Sequence, residues 1–232
     1  MKNISIVLPV HNEIENLKKL ILDWNYQLNK KKIDHEFVIV EDGSTDGTKN
    51  VISELETNFP IINLSQKEKR GYSRAVIDGI YSSSKNYILC TDSDNQIGVK
   101  SLIESLKILP LEDEFLIGYR NPRKDPLNRI LYSKIFKIFH TFLFNPKLKD
   151  PSCPFVIGLK KTFKKLDKKK LGYMKEGFWW GFVGVCKKQK FKIFETPIEH
   201  FSRESGEAGY KLKHLPGIIL RNIKGLIKIK FL

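Results

Sequence analysis

The sequence predicts an α/β protein built on a mostly parallel, Rossmann-like sheet flanked by helices. Two observations carry this. Short, β-prone apolar runs alternate with amphipathic stretches in the order β-α-β-α-β-α-β across the first ninety or so residues, which forces parallel strands with helices on both faces. Acid- and glycine-rich turns also recur at the carboxyl ends of those runs, the edge where open α/β sheets bind ligands.

Residues 4–10 form the first expected strand, followed by Asn12 and Glu15 as a capping box for a helix reaching about Lys30. Residues 37–40 are the second strand, ending in Glu41-Asp42-Gly43-Ser44-Thr45-Asp46-Gly47-Thr48, and a helix then runs to about Asn58. Residues 61–64 are the third strand and 71–84 the next helix. The fourth strand, 87–91, is apolar and uncharged, as a strand covered on both faces should be. It empties into Asp92-Ser93-Asp94-Asn95-Gln96. Two carboxylates that close repel each other unless a cation sits between them. Hard oxygen ligands on a turn suit Mg²⁺ or Mn²⁺ shared with substrate phosphates. The plainer reading is an Asp-rich turn capping the following helix.

A helix near 99–109 leads to a fifth strand at 115–120, ending in Arg120. Residues 126–144 carry Leu127, Ile130, Leu131, Ile135, Ile138, Phe139 and Phe142 at helical spacing, with Arg129, Lys134 and Lys137 on the same helix. Core packing is the default account of that stripe, and a lipid-facing helix the sharper one. Asp150-Pro151-Ser152-Cys153-Pro154 is a turn into a strand at 155–159. Residues 176–188 read as a helix with Phe178, Trp179, Trp180 and Phe182, either core or an acceptor-side wall, and 191–194 as a last strand. The tail, 210–232, alternates Leu215, Ile219, Ile223, Leu226 and Ile227 with Arg221, Lys224, Lys228 and Lys230, the pattern of a helix lying in a membrane interface.

Composition narrows the function. The 232 residues fit one domain with an appended tail, and 41% hydrophobic content supports a real core. A net charge of +15 draws the protein toward something anionic: nucleic acid, an acidic membrane surface or phosphorylated substrates. Three scattered cysteines, Cys90, Cys153 and Cys186, argue for a reducing compartment and against a disulfide framework. No signal-peptide pattern opens the chain, and no apolar run reaches the ~20 residues of a membrane span. No Gly-x-Gly-x-x-Gly follows the first strand and no Walker loop occurs, which disfavours dinucleotide enzymes and P-loop NTPases. The acid groups after strands two and four must do the nucleotide work instead. No nucleic acid partner is expected, because helix-turn-helix, RNP-like and zinc patterns are missing. The Lys30-Lys31-Lys32 and Lys168-Lys169-Lys170 runs read as solvated faces, and His35, His140, His200 and His214 as ordinary histidines without ligand spacing.

Several separated motifs agree on one family. They are Val7-Leu8-Pro9-Val10-His11-Asn12-Glu13, the Val40 to Thr48 segment, Arg70-Gly71 with Ala75 and Gly79, and Asp92-Ser93-Asp94-Asn95-Gln96. Gly118-Tyr119-Arg120, Asp150, Glu195-Thr196-Pro197-Ile198 and Arg203-Glu204-Ser205-Gly206 complete the ordered set. The chain resembles family 2 glycosyltransferases of the GT-A nucleotide-diphospho-sugar transferase fold, most closely the dolichyl- and polyprenyl-phosphate sugar synthases.

The resemblance implies a catalytic domain over 1–205, leaving 206–232 as the basic tail. It implies that Pro9, His11, Glu13, Glu41, Asp42, Gly71, Asp92 and Ser93 contact the nucleotide sugar, and that Asp92, Asp94 and Gln96 hold the Mg²⁺ or Mn²⁺. Arg120, Arg129 and Arg203 would grip donor and acceptor phosphates, arginine's planar fork being suited to phosphate oxygens. The chain departs from the family's pattern at His11, where an aromatic is common, at Glu41, where Asp is common, and after Gly206. The implied reaction is inverting transfer from a UDP- or GDP-linked sugar to a lipid phosphate, or in the nearest rival to a hydroxyl of a glycan acceptor. A lipid phosphate is already anionic and needs no protein base, whereas a hydroxyl does. Glu176 is the one candidate base, and its plainer reading, a helix N-terminal acid, tilts the acceptor toward phosphate. The expected setting is the cytoplasm, at the inner face of the cell membrane, in peripheral contact with anionic lipid, in the making of cell-envelope glycans.

Overall fold

The computed structural model describes residues 3–202 and 215–232. Nine helices and seven strands follow one another in these residues. They begin with β1 (Asn3–Val10), α1 (Ile14–Lys30), β2 (Asp34–Glu41), α2 (Thr48–Glu56), β3 (Ile61–Ser65), α3 (Tyr72–Ser82) and β4 (Tyr87–Thr91). Next come α4 (Val99–Ser105) with a 3₁₀ turn at Leu106–Ile108, β5 (Glu114–Arg120), α5 (Leu127–Phe144) and β6 (Phe155–Leu159). The short α6 (Lys160–Lys164) and α7 (Lys168–Leu171), then α8 (Phe178–Lys188), β7 (Lys192–Ile198) and α9 (Leu215–Phe231), complete the described chain.

The strands form one sheet in the order β3-β2-β1-β4-β6-β5-β7. β1 pairs in parallel with β2 on one side and β4 on the other, so the winding direction reverses between β1 and β4. Such a switch opens a crevice at the carboxyl edge. The register sets Val7 opposite Cys90, which carries Asp92 past the end of β4 beside the Pro9 end of β1. Ile6, Val7 and Leu8 are fully buried, as strands covered on both faces require. At Gly79, a Cβ would lie 2.4 Å from Val7 Cγ1, so α3 packs onto β1 at a distance only glycine allows.

β6 is the reversed strand, antiparallel to both β4 and β5. Entering the sheet backwards, it brings the turn at residues 150–154 to the same edge as the carboxyl ends of β4 and β5. That places Asp150 and Ser152 against Arg120.

The capping box expected at Asn12 and Glu15 does not form. Asn12 adopts a left-handed φ of 56° and ties the β1 loop to the β2 loop. Its Oδ1 accepts the Thr45 N–H at 2.9 Å and its own N–H donates to Ser44 Oγ at 3.0 Å. The first N–H groups of α1 go instead to Thr48 Oγ1 and Asp46 Oδ2. Neighbouring-loop oxygens thus displace the local cap. The Lys168-Lys169-Lys170 run is a single helical turn capped by Asp167, whose side chain accepts the Lys170 N–H at 3.0 Å.

The basic tail forms α9, which packs on α8 and also meets α5 and α7. Its apolar residues divide between two surroundings. Leu226 and Ile229 are fully buried against the protein, while Leu220, Ile227 and Phe231 remain exposed. α5 divides likewise: His140 and Phe144 pack inward, and Leu127, Leu131, Ile135, Ile138 and Phe142 face out along one stripe. Among the described residues no helix is long and apolar enough to cross a membrane.

Candidate active site

A cavity of about 1250 Å³ opens at the carboxyl edge of the sheet. Its lining includes Pro9, His11, Glu13, Asp42, Gly71, Asp92, Ser93, Asp94, Gln96, Arg120, Arg129 and Glu176, so nearly all the residues singled out in the sequence converge there. Arg203 lies outside the described residues. Glu41 does not reach the cavity. It is fully buried, its carboxylate accepts the Ser44 N–H and stands 3.5 Å from Lys49 Nζ, and it braces the β2 loop from behind.

On the β1–β2 side, Asp42 spends both carboxylate oxygens on backbone. Oδ1 accepts the Arg70 N–H at 2.6 Å and Oδ2 the Gly71 N–H at 2.8 Å, drawing the start of α3 up to the crevice. Glu13 Oε2 accepts from Asn16 Nδ2 at 2.7 Å. His11 Nδ1 is buried with no hydrogen-bond partner among the described residues, an orphan a ligand at this wall would satisfy.

At the end of β4, Ser93 Oγ donates to Pro9 O at 2.9 Å and locks the turn to β1. Asp92 Oδ1 accepts the Tyr72 hydroxyl at 2.6 Å, and that hydroxyl accepts the Trp179 indole N–H at 2.9 Å. Asp94 Oδ1 accepts the Gln96 N–H at 3.2 Å, and Gln96 Nε2 donates to Phe201 O. Burial, followed by the charge of Asp94, pushes Asp92 up to about 7, although Tyr72, Arg129 and Arg120 pull the other way. A carboxylate pair whose charges repel in this manner fits a divalent cation, with Asp92, Asp94 and the side-chain amide oxygen of Gln96 as its protein oxygens. Among the described residues no cluster of three or more His, Cys, Asp or Glu converges, so further ligands would come from substrate or water.

The opposite wall is cationic. Arg120 Nε and Nη2 form a fork on Asp150 at 2.7 and 2.9 Å, and Nη2 also reaches Ser152 Oγ at 2.9 Å. Burial raises the Asp150 carboxyl, but the hydrogen bonds and charge of Arg120 outweigh it and hold Asp150 down at about 2. Arg123 and Arg129 complete the wall, and Asp125 lies beneath all three arginines. The cavity then turns apolar along α5, α8 and α9, through Ile135, Phe136, Phe139, Trp180, Ile218 and Ile223. Glu176, just before α8, is held by Arg221 of α9.

Sequence reasoning missed Arg123, Asp125 and Tyr72, and it read Trp179 as core or acceptor-side wall without its bond to Tyr72. The Arg123-x-Asp125 pairing next to Arg120 was the one signal for the first two. Tyr72 directly follows the Arg70-Gly71 motif but has no pattern of its own.

A doubly wound sheet with an Asp-x-Asp turn at its switch point and a crevice beside it is the architecture expected of the GT-A fold. The family model for glycosyl transferase family 2 matches residues 5–167, and the chain belongs to that family. It is 25% identical to a dolichol-phosphate mannosyltransferase of Pyrococcus furiosus, over 97% of this chain and 64% of that protein. It is 30% identical to poly-beta-1,6-N-acetyl-D-glucosamine synthase of Staphylococcus aureus, over 40% of this chain and 22% of that one. The chain thus spans less than two thirds of these relatives. Among solved structures, glucosyl-3-phosphoglycerate synthase from Mycobacterium tuberculosis, in complex with Mn²⁺, UDP and glucosyl-3-phosphoglycerate, superposes with a TM-score of 0.71 at 14% identity, covering 99% of this chain and 80% of that one. Mannosyl-3-phosphoglycerate synthase from Rubrobacter xylanophilus gives 0.66 at 12% identity, covering 98% and 73%. These two likenesses speak to the fold alone.

Proposed function

We propose that this glycosyltransferase moves a sugar, with inversion, from a UDP- or GDP-linked donor to a polyprenyl- or dolichyl-phosphate acceptor. One observation carries the reading: a single cavity joins the Asp92–Asp94 pair, an arginine wall and an apolar exit. A bound Mg²⁺ or Mn²⁺ would neutralise the donor diphosphate and make it a better leaving group. Pro9, His11, Glu13 and Gly71 would seat the nucleotide, with Asp42 holding the Arg70–Gly71 turn in place. The arginines would bind the acceptor's phosphate, whose oxygen is anionic without help from a base. The apolar lining of α5, α8 and α9 suits the first isoprene units.

Glu176 supports this choice because Arg221 already neutralises it. A second reading, a hydroxyl of a glycan acceptor with Glu176 as base, draws on that residue's place in the cavity lining. The exposed stripe of α5, the exposed residues of α9 and the +15 charge support peripheral contact with an anionic membrane. On this reading the enzyme would work at the inner face of the cell membrane, in envelope glycan synthesis.

The test is a panel of UDP- and GDP-sugars with farnesyl phosphate and Mg²⁺ or Mn²⁺. Glycolipid should form with one donor. Transfer to glycan hydroxyls alone would replace this acceptor with the second reading.

A further inference from the structure

The three arginines of the cavity wall come from separate stretches. Arg120 ends β5, Arg123 sits in the connection after it, and Arg129 is in the first turn of α5. Like charges gathered at one wall repel, yet all three reach the same carboxylate. The Asp125 side chain is only 2% exposed; its Oδ2 holds Arg123 Nε at 2.6 Å and Arg120 Nη1 at 3.3 Å, and its Oδ1 holds Arg129 Nη1 at 3.2 Å. Arg120 is anchored a second time on Asp150, and Arg123 a second time on Ser133 Oγ of α5 at 3.0 Å. Arg129 is 56% exposed and shares the buried Asp125 carboxylate with the other two.

We infer that Asp125 is a positioning residue that assembles these guanidinium groups into one cradle for the acceptor's phosphate. What the cradle holds rests on the acceptor reading above; how it is built does not. Charge and positioning give opposite signs. Removing the Asp125 charge leaves the wall more cationic, and attraction alone would then tighten anion binding. A phosphate grip also depends on fork geometry, and guanidinium groups released from a common carboxylate lose it.

The experiment uses the full chain, with farnesyl phosphate as probe and UDP plus Mn²⁺ as control, titrated calorimetrically for wild type, Asp125→Asn and Asp125→Glu. Both variants should bind farnesyl phosphate about tenfold more weakly, while UDP–Mn²⁺ affinity stays within about twofold. Equal or tighter farnesyl phosphate binding by Asp125→Asn overturns the inference. If that variant does not fold, Asp125→Glu carries the same expectation, since it keeps the charge and displaces the carboxylate by one methylene. A wild type that ignores farnesyl phosphate removes the acceptor reading only. Arginine Nε–H NMR spectra of the free protein then decide: a lost or shifted Arg123 signal in the variants upholds the hub, and spectra matching wild type overturn it.

Discussion

Arg221 of α9 closes its Nε and Nη2 on the carboxylate of Glu176, at 3.1 and 2.8 Å. The carboxylate considered as a candidate base is therefore already paired with a guanidinium. Glu176→Gln should leave transfer to farnesyl phosphate within about threefold of wild type, because a base would otherwise contribute roughly 10²–10⁴. Steady-state rates decide this, and a drop of that larger size would install Glu176 as the base. Arg221 is 49% exposed, so the pair adds at most about 1 kcal/mol and melting should barely move.

Asp94 faces the cavity next to a buried carboxylate. Asp94→Ala should lower turnover by at least about 100-fold through lost stabilisation of the leaving diphosphate. Mn²⁺ binding in the presence of UDP, followed by electron paramagnetic resonance, should weaken in step, with circular dichroism unchanged. Full activity would take the pair out of the mechanism.

His140 makes stability depend on pH. Burial lowers it to about 4, partly countered by the Trp180 carbonyl, which accepts its Nε2–H at 2.9 Å. Between the unfolded value near 6.5 and about 4, the unfolded chain takes a proton that the folded one refuses. The contribution is therefore complete above that upper value and shrinks as pH falls, by up to about 3 kcal/mol. His200, also lowered to about 4 by burial and then by Arg120, acts with the same sign. Asp92, raised to about 7 by burial, opposes them in this window, so the comparison decides: between neutral and mildly acid pH the urea midpoint of His140→Leu should fall less, or rise more, than that of wild type.

On α5, Ile138 is 73% and Phe142 86% exposed. Replacing both by Asp should leave the melting temperature nearly unchanged and reduce binding to phosphatidylglycerol vesicles by at least about tenfold, from the lost apolar burial. Unchanged vesicle flotation would show that α5 is not the lipid-facing side.

Some of this was legible in the chain and some was not, for physical reasons. The bounds of β4 could be read directly because an uncharged run of five residues meets a charged turn. The direction of β6 could not, since Phe155–Leu159 is apolar on both faces and reads the same in either sense. Asn12 and Glu15 misled because a cap is a local rule, and here oxygens some thirty residues away occupy the N–H groups. Pro9, Asp42, Asp92 and Ser93 sit at strand ends and follow from motif and topology together. Arg123 and Asp125 have no periodicity to betray them, because their partnership is created by a loop folding over. The amphipathic pattern of α9 was plain, but such a pattern cannot distinguish protein from lipid as the covering, and Leu226 and Ile229 found protein.

The reversed strand also dictates an order of assembly. Among the described strands, β5 neighbours only β6 and β7. During synthesis, the segment ending in Arg120 must therefore wait until the chain through Gly158 has emerged before it can join the sheet. The half built on β1 to β4 is able to pair as soon as β4 emerges; the half that holds Arg120 is necessarily the later-born of the two.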